Sequence, residues 1–475
     1  MATNAELIDQ ETLSLENLSE KAVEQESESE HGESVEPERD PVSNYGWICV
    51  VCVFLINGHT WGLNSSYGVF LAHYLSSNRY PGASRLDFAF VGGLSISMAM
   101  LISPVATMAT RKFGTRATLL IGVFLQTLSL IGASFANEIW QLFLSQGICF
   151  GWGMGFLFVG SVGIVPQWFT RRRSLANGIG TAGSGLFGMV YSLSTEAMIQ
   201  SLGLAWAFRI LGIVSFVVNF TCAIAVRDRN KQVGASLLAF DWRLVKRPEF
   251  VLLLGYGVFS MLGYIVLLFS LPNYAQSVGL TSRQGALIGA LLNLGQGLGR
   301  PPIGYFSDSV GRINIAGIAT FLSALFALVI WIFAKSFGVL IFYALIGGTV
   351  AGTFWPTVAP VTAEIVGLKN LPAALSITWV VIVLPTTFSE PIALEITQHT
   401  GNYLGAQLFT GFMYIAAALC LWFLKAWKLG EMECVAAVER KPMDEVDAAN
   451  SSSEGMPESR PKSSVVNRLL RWQKV

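Results

Sequence analysis

The sequence predicts an all-α polytopic membrane protein with twelve transmembrane helices, arranged as two similar halves of six. The chain has 475 residues, of which 52% are hydrophobic and only 13% are charged. A helix needs at least about 17 residues to cross the hydrocarbon, and hydrophobic runs of at least this length recur along the chain. Loops rich in basic residues alternate with loops that have few. The runs lie at about residues 46–75, 86–109, 117–136, 139–166, 174–199, 204–226, 249–276, 281–306, 313–334, 336–363, 370–398 and 401–426.

The spacing of the runs divides the chain into five segments. Residues 1–45 are crowded with acids and predict a disordered, solvated tail. Six runs at 46–226 and six at 249–426 form two helical halves, which a basic linker at 227–248 joins. Residues 427–475 include a stretch rich in serine and charge, and predict a second disordered tail.

Lysine and arginine lie mainly in alternate loops, which predicts the orientation. "TRKFGTR" (110–116), "TRRRS" (170–174) and the linker fall on one side of the predicted membrane, and the opposite loops have few basic residues. Cytoplasmic loops carry the excess of lysine and arginine, so both tails are predicted to be cytoplasmic. We expect residence in the plasma membrane, with the vacuolar membrane as the alternative.

The stretch "GYFSDSVGR" (304–312), after the eighth run, resembles the GxxxDxxGR signature of the major facilitator superfamily. The resemblance implies that Gly304 lets two helices approach and that Asp308 and Arg312 lock the cytoplasmic gate by charge. The alternative is an ordinary polar turn between two spans. Transporters of this class have parallel six-helix halves, with the substrate site near the midplane between them.

The first half contains a counterpart of this stretch, "RKFGTR", after the second run. Arg111 stands there in place of the acid, so an equivalent charge pair is not expected in this half. The basic residues of the signature remain, and Lys112 and Arg116 are therefore candidate residues of the cytoplasmic gate.

Three stretches resemble the monocarboxylate porter family of this superfamily. They are "WFTRRRSLANGIGTAGSG" (168–185), "YGWICVV" (45–51) and "TWGLNSSYGVFLAHYL" (60–75), of which the last is similar to the fungal branch.

The arginine triplet Arg171, Arg172 and Arg173 lies within the first of these stretches and has two interpretations. It is a topology anchor on the cytoplasmic side, or, as the resemblance implies, it contributes to the cytoplasmic gate.

Arg300 begins "RPPIG", which resembles the RPxxG of helix 8 in the same family, where the arginine is implicated in holding the substrate carboxylate. A guanidinium offers paired donors that match a carboxylate. The alternative is that Arg300 snorkels to the inner interface. The family's lactate carriers have an acid where this chain has Gln296 and a lysine that aligns with Ser65, and both departures argue against a proton and lactate symporter.

Further polar residues within the runs are candidates for the substrate site. Gln296, Asn293 and Asn64 supply amides and Trp355 supplies an indole, which suit a polar planar ligand. His59 is a further candidate in the first run, and hydrogen-bonded packing is its alternative interpretation.

Two residues are candidates for proton coupling. His59 titrates near neutral pH, and Glu390 lies between Pro385 and Pro391 in the eleventh run. Ionisable residues inside transmembrane segments are rare and often belong to proton relays.

These patterns predict a secondary-active transporter that moves a small organic anion or metabolite by alternating access, with a monocarboxylate-like compound or an exported secondary metabolite as cargo. Two alternatives stay open: an uptake carrier for riboflavin or another heterocycle, and a non-transporting membrane nutrient sensor. The sequence has no HExxH motif, Walker loop or cysteine and histidine cluster, so no enzyme activity, metal or cofactor is predicted.

The expected partners are a small-molecule substrate, the lipid bilayer and, as candidate coupling ion, the proton. Nucleic acid is not an expected partner, and the chain is predicted to be a monomer.

Overall fold

In the described residues, all regular secondary structure is helical, which confirms the predicted all-α class. The computed structural model describes residues 44–77, 80, 82–236, 238, 240–438, 468 and 473. The helices before the linker are α1 (Asn44–Asn57), α2 (Leu63–Ser65), α3 (Tyr67–Ser77), α4 (Arg85–Leu101), α5 (Ser103–Phe113), α6 (Thr115–Ala133), α7 (Ile139–Leu142), α8 (Phe150–Val162), α9 (Val165–Trp168), α10 (Arg173–Leu202) and α11 (Leu204–Ala225). The later helices are α12 (Trp242–Val245), α13 (Pro248–Ser277), α14 (Ser282–Val310), α15 (Arg312–Phe326), α16 (Phe337–Ala351), α17 (Phe354–Val381), α18 (Val383–Thr400) and α19 (Leu404–Val438). Short π-helical segments lie at Gly58–Gly62, Phe143–Cys149 and Ala327–Trp331.

Eight helical stretches of the described chain are long and apolar enough to cross a membrane, and a bent pair of helices, Phe90–Leu101 with Ser103–Phe113, raises the number to nine. One of the eight, Phe337–Thr400, has 64 residues, which is far more than one crossing needs. Its backbone leaves the helical conformation at Gly367, where φ is 76°.

Helices α10 and α14 fall outside this apolar set, although they have 30 and 29 residues. Both are rich in glycine and pack closely against each other. A Cβ atom at Gly178 would lie 2.5 Å from the carbonyl oxygen of Arg300, and one at Gly185 would lie 2.6 Å from that of Asn293. Small residues permit such close helix contacts in membranes. Because α10 precedes the linker and α14 follows it, this contact joins the two parts of the chain.

The C-terminal helix is longer than the sequence predicted. Disorder was expected from residue 427, whereas α19 continues as helix to Val438, so this boundary is wrong. Lys428 and Glu431 form an ion pair of 2.6 Å one turn apart on the extension, and such pairs stabilise helices. Of the later residues only Arg468 and Gln473 are described, and Arg468 donates to a carbonyl oxygen of α19 at 3.3 Å. The acidic tail predicted at 1–45 lies outside the described residues up to residue 43.

Candidate substrate site and cytoplasmic gate

The guanidinium of Arg300 lies between α14, which carries it, and α10. Arg300 is only 4% exposed. Its Nη1 donates to the carbonyl oxygen of Thr181 at 2.5 Å and to the hydroxyl of Ser184, and its Nη2 donates to Oε1 of Gln296 at 3.2 Å. The head group points across the helix interface, which does not agree with snorkelling along α14.

The sequence around Arg300 favours this enclosure. Gly299 packs against the backbone of Thr349 on α16, where a Cβ atom would collide. Pro301 and Pro302 lie inside α14 and have no backbone N–H groups to donate. Because Gly299 packs on α16 and Gly178 of α10 packs on the backbone of Arg300, α14 is held between α10 and α16 at the level of Arg300.

No acid of the described chain forms an ion pair with Arg300. Among the described residues, no carboxylate oxygen lies within 4.0 Å of its guanidinium. Its Nε and the Nε2 of Gln296 are buried donors with no hydrogen-bond partner in the part of the chain that the structure describes. A buried cation with an unpaired donor is costly, and an incoming anion would relieve that cost.

Gln296 and Asn293 share the site with Arg300. Oε1 of Gln296 accepts a hydrogen bond of 2.8 Å from the hydroxyl of Tyr264 in addition to the one from Arg300. Asn293 is 7% exposed and lies at the same interface, with its amide carbon 3.4 Å from where a Cβ of Gly188 would be. Asn293 is thus placed beside α10, whereas the side chain of Gln296 contacts Tyr264 on α13.

An aromatic cluster lies next to these polar groups. The ring of Trp355 is 5.0 Å from that of Trp61, 6.2 Å from that of Trp379 and 6.4 Å from that of Tyr264. The indole N–H groups of Trp61 and Trp379 are buried and have no acceptor among the described residues. Because Tyr264 also contacts Gln296, the cluster is continuous with the Arg300 site.

Two predicted site residues have contacts away from Arg300. Nδ1 of His59 lies 2.9 Å from the carbonyl oxygen of Leu55, and its ring is 4.8 Å from that of Phe187. The carbonyl oxygen of the Asn64 side chain accepts a hydrogen bond of 2.9 Å from Ser95 on α4. These described contacts place both residues against other helices of the first part of the chain.

Asp308 caps the N-terminal end of α10. Its two carboxylate oxygens accept the backbone N–H groups of Ser174 at 3.0 Å and Leu175 at 2.8 Å. Free N–H groups and the helix dipole at this end favour a negative charge. Gly304, one turn earlier on α14, leaves the room that this approach needs, because a Cβ there would collide with the Ser174 carbonyl.

Arg312 completes the contacts at this end. Its Nε lies 3.7 Å from Asp308, its Nη1 lies 3.5 Å from a carboxylate oxygen of Glu364 on α17, and its Nη2 donates to the carbonyl oxygen of Thr170 at 3.0 Å. The guanidinium therefore links α14, α17 and the turn before α10.

The remaining predicted gate residues lie around this contact. Arg171 and Arg172 are exposed, and Arg173 is half-buried with its Nε donating to the carbonyl oxygen of Phe169 at 3.0 Å. Lys112 and Arg116, at the facing ends of α5 and α6, are exposed.

Glu390 lies on α18, apart from the gate. Both of its carboxylate oxygens accept from the hydroxyl of Ser270 on α13, at 3.1 and 3.0 Å.

Sequence reasoning missed several residues of these sites. Thr181 and Ser184 lie in the family-like stretch at 168–185, and the small polar character of that stretch was their only signal. Tyr264 and Glu364 were not predicted as site residues, because their partners are distant in the chain.

The chain matches known transporters in family, sequence and fold. The family model for the Major Facilitator Superfamily matches residues 47–289 and 252–428. The Saccharomyces cerevisiae protein named Probable transporter MCH2 is 35% identical, with 83% of this chain and 85% of that protein covered. The human Monocarboxylate transporter 10 is 26% identical, with 89% and 87% covered. A crystal structure of the E. coli fucose:proton symporter FucP has the same fold, with a TM-score of 0.60, 14% identity, and 81% of this chain and 99% of that chain covered.

Proposed function

The chain belongs to the monocarboxylate porter family of the major facilitator superfamily, and we propose that it is a secondary-active transporter of a small organic anion. The observation that carries this proposal is the buried guanidinium of Arg300, which has no acid partner among the described residues and one buried N–H without an acceptor. A substrate carboxylate provides the paired acceptors that match this donor set.

The aromatic cluster supports a preference for cargo with a flat apolar body. Trp61, Trp355 and Trp379 stand beside the Arg300 site, and ring stacking adds to the burial of a planar ligand. The indole N–H groups of Trp61 and Trp379, which have no acceptor in the described chain, also suit further acceptors on such a ligand. A planar heterocycle that carries an anionic group is therefore the second candidate cargo.

Alternating access supplies the mechanism. The twelve predicted spans form two halves, at 46–226 and 249–426, with both tails in the cytoplasm and the protein in the plasma membrane or the vacuolar membrane. We infer that the Asp308 cap on α10 and the contacts of Arg312 close the predicted cytoplasmic end. Opening that end requires α10 and α14 to separate, which breaks these contacts.

The experiment has a cellular and a reconstituted stage. Metabolites inside and outside cells are compared after deletion and overexpression of the gene, and the solutes that change are tested for flux in proteoliposomes. Radiolabelled pyruvate and benzoate serve as fixed probes of a small and an aromatic monocarboxylate. Absence of flux for every probe and every candidate solute would reject the transport proposal and favour a sensor.

The role of Arg300 is tested by Arg300→Lys and Arg300→Ala. We expect both variants to insert normally and to lose flux, because lysine supplies a charge but no planar pair of donors. Arg209→Lys is the matched control, since Arg209 stacks on the ring of Phe135 at 4.8 Å, away from this interface. Wild-type flux in both Arg300 variants would refute the anion contact.

A further inference from the structure

The end of the chain returns to the helical bundle at Arg468 and Gln473. Arg468 is only 8% exposed, and its Nη1 donates to the carbonyl oxygen of Ala426 on α19 at 3.3 Å. The backbone carbonyl oxygen of Gln473 accepts a hydrogen bond of 2.8 Å from the side-chain amide of Asn314 on α15. Two residues near the end of the chain thus contact two different helices.

Gly430 leaves the space that the guanidinium of Arg468 occupies. This glycine lies one turn after Ala426 on α19 and is buried. A Cβ atom at Gly430 would collide with Nη1 of Arg468, so any larger residue here would displace the guanidinium. We call Asn314, Ala426 and Gly430 the tail-binding surface.

The two helices of the tail-binding surface are antiparallel neighbours. Gln407, near the start of α19, donates to the carbonyl oxygen of Trp331, beyond the end of α15, at 3.2 Å. Further along both helices, a Cβ atom at Gly317 of α15 would lie 3.8 Å from the Cβ atom of Leu421 on α19. The start of α15 therefore lies beside the later part of α19, at the end of the bundle where α14 meets α15.

Asn314 connects the tail-binding surface to the candidate gate. Its side-chain amide donates to the carbonyl oxygen of Val310, the last residue of α14, at 3.0 Å in addition to that of Gln473. Gly311, with a φ of 117°, forms the turn between α14 and α15, and Arg312 of the candidate gate begins α15. One amide group therefore holds both the end of the chain and the gate turn, residues 310–312.

The guanidinium of Arg468 is held incompletely on this surface. In the part of the chain that the structure describes, no carboxylate oxygen lies within 4.0 Å of it, and its Nε is buried without an acceptor. A buried donor that lacks a partner costs about as much free energy as a hydrogen bond to a charged group contributes. The docked and the released tail should therefore differ little in free energy, so that docking is reversible.

We propose that the C-terminal end of the chain is a reversible latch on the gate turn. Docking of Arg468 and Gln473 on the tail-binding surface holds Asn314 in place, and Asn314 in turn holds the end of α14, the helix on which Asp308 caps α10. This inference rests on the proposed transport function and adds a regulatory contact to its gate. The alternative is inert packing of Arg468 on α19, to which the gate turn would not respond.

The latch is tested without any substrate, by hydrogen–deuterium exchange of the purified full-length protein. Arg468→Ala removes the guanidinium, and Gly430→Ala displaces it with a methyl group, which a flexible side chain can yield to without disturbing α19. Loss of one hydrogen bond changes an equilibrium about 2- to 10-fold, so we expect the amides of residues 310–316 to exchange faster by about this factor in both variants.

Two control variants match these changes. Arg243→Ala removes an exposed arginine of the linker, and Gly338→Ala adds a methyl group that would meet no atom within 4 Å. Both should exchange as the wild type does. Wild-type exchange of residues 310–316 in either Arg468→Ala or Gly430→Ala would overturn the latch and leave inert packing.

The regulatory effect is tested in proteoliposomes with radiolabelled pyruvate and benzoate. In Arg468→Ala and Gly430→Ala we expect initial rates of flux above those of the wild type and of the two controls, because the gate turn opens more easily. Unchanged rates in both variants of a transporting protein would overturn the regulatory role. Faster amide exchange in a protein that moves no solute would reject the transport function and leave the latch standing.

Discussion

Asp308 on α14 accepts the backbone N–H of Ser174, the second residue of α10, at 3.0 Å. The two residues belong to different six-helix halves of the predicted fold, and we propose that their contact closes the predicted cytoplasmic end. The bond is charge-assisted and is directed at a helix N-terminus, where a carboxylate is most effective. The stability of the closed state should therefore depend on this charge.

Replacement of Asp308 by asparagine tests this dependence. Asp308→Asn keeps the shape of the side chain but removes its charge, and hydrogen bonds to charged groups contribute about 1.5–3 kcal/mol each. We expect the first turn of α10 to exchange its amide hydrogens at least about 10-fold faster, because about 1.4 kcal/mol corresponds to a factor of ten. Hydrogen–deuterium exchange of a peptide that contains Ser174 and Leu175 measures this change.

A matched control exists in the linker. Asp241 accepts the backbone N–H of Arg243 at 3.0 Å at the start of α12, so Asp241→Asn also removes a charged cap but leaves the gate intact. Equal exchange at α10 in the wild type and in Asp308→Asn would show that the carboxylate does not hold the gate closed.

Gly304 provides a steric test of the same closure. A Cβ at this position would collide with the carbonyl of Ser174, so Gly304→Ala should hold α10 away from α14 and favour the state that is open to the cytoplasm. We expect normal membrane insertion and at least about 10-fold lower flux, a loss that corresponds to about 1.4 kcal/mol. Flux in proteoliposomes and exchange at α10 measure the two effects.

Gly93→Ala is the control for this steric effect, since a Cβ at Gly93 would meet no atom within 4 Å. It should retain wild-type flux. If Gly304→Ala transports as well as Gly93→Ala does, the close approach at Gly304 is not needed for gate closure.

The all-α class and the family followed from local patterns, whereas the partners of the site residues did not. Long apolar runs indicate helices that are surrounded by lipid. The motif "GYFSDSVGR" predicts, from adjacent residues alone, that Asp308 lies next to a turn. That Asp308 binds the N-terminal end of α10 depends on how two distant helices approach. The sequence around Asp308 therefore does not indicate which helix end it caps.

The Arg300 site shows the same division. The cost of a buried cation could be derived from the sequence, and Gln296 could be identified as a neighbour from its helical spacing. The contacts with Thr181 and Ser184 could be identified only from the tertiary arrangement. In the sequence, a small hydroxyl residue in a glycine-rich helix is equally consistent with a role in close helix packing. Glu364 lay near the end of a predicted span, and its contact with Arg312 depends on the path of α17.

Gln296 gives the sharpest test of how Arg300 is kept available for an anion. Its Oε1 accepts from Arg300 and from Tyr264, so the amide contacts the guanidinium without neutralising it. In Gln296→Asp the introduced carboxylate would pair with Arg300 when ionised and compete with the substrate. At neutral pH we expect at least about 10-fold weaker binding of the anion, which corresponds to about 1.4 kcal/mol. Acidification protonates the introduced acid, so binding should recover as the pH falls. Initial uptake rates of radiolabelled pyruvate and benzoate across a pH series measure this recovery.

The control is Gln284→Asp on the same helix, where Gln284 caps the first turn of α14, and it should show the wild-type pH profile. A Gln296→Asp variant with that same profile would mean that the substrate carboxylate does not depend on Arg300.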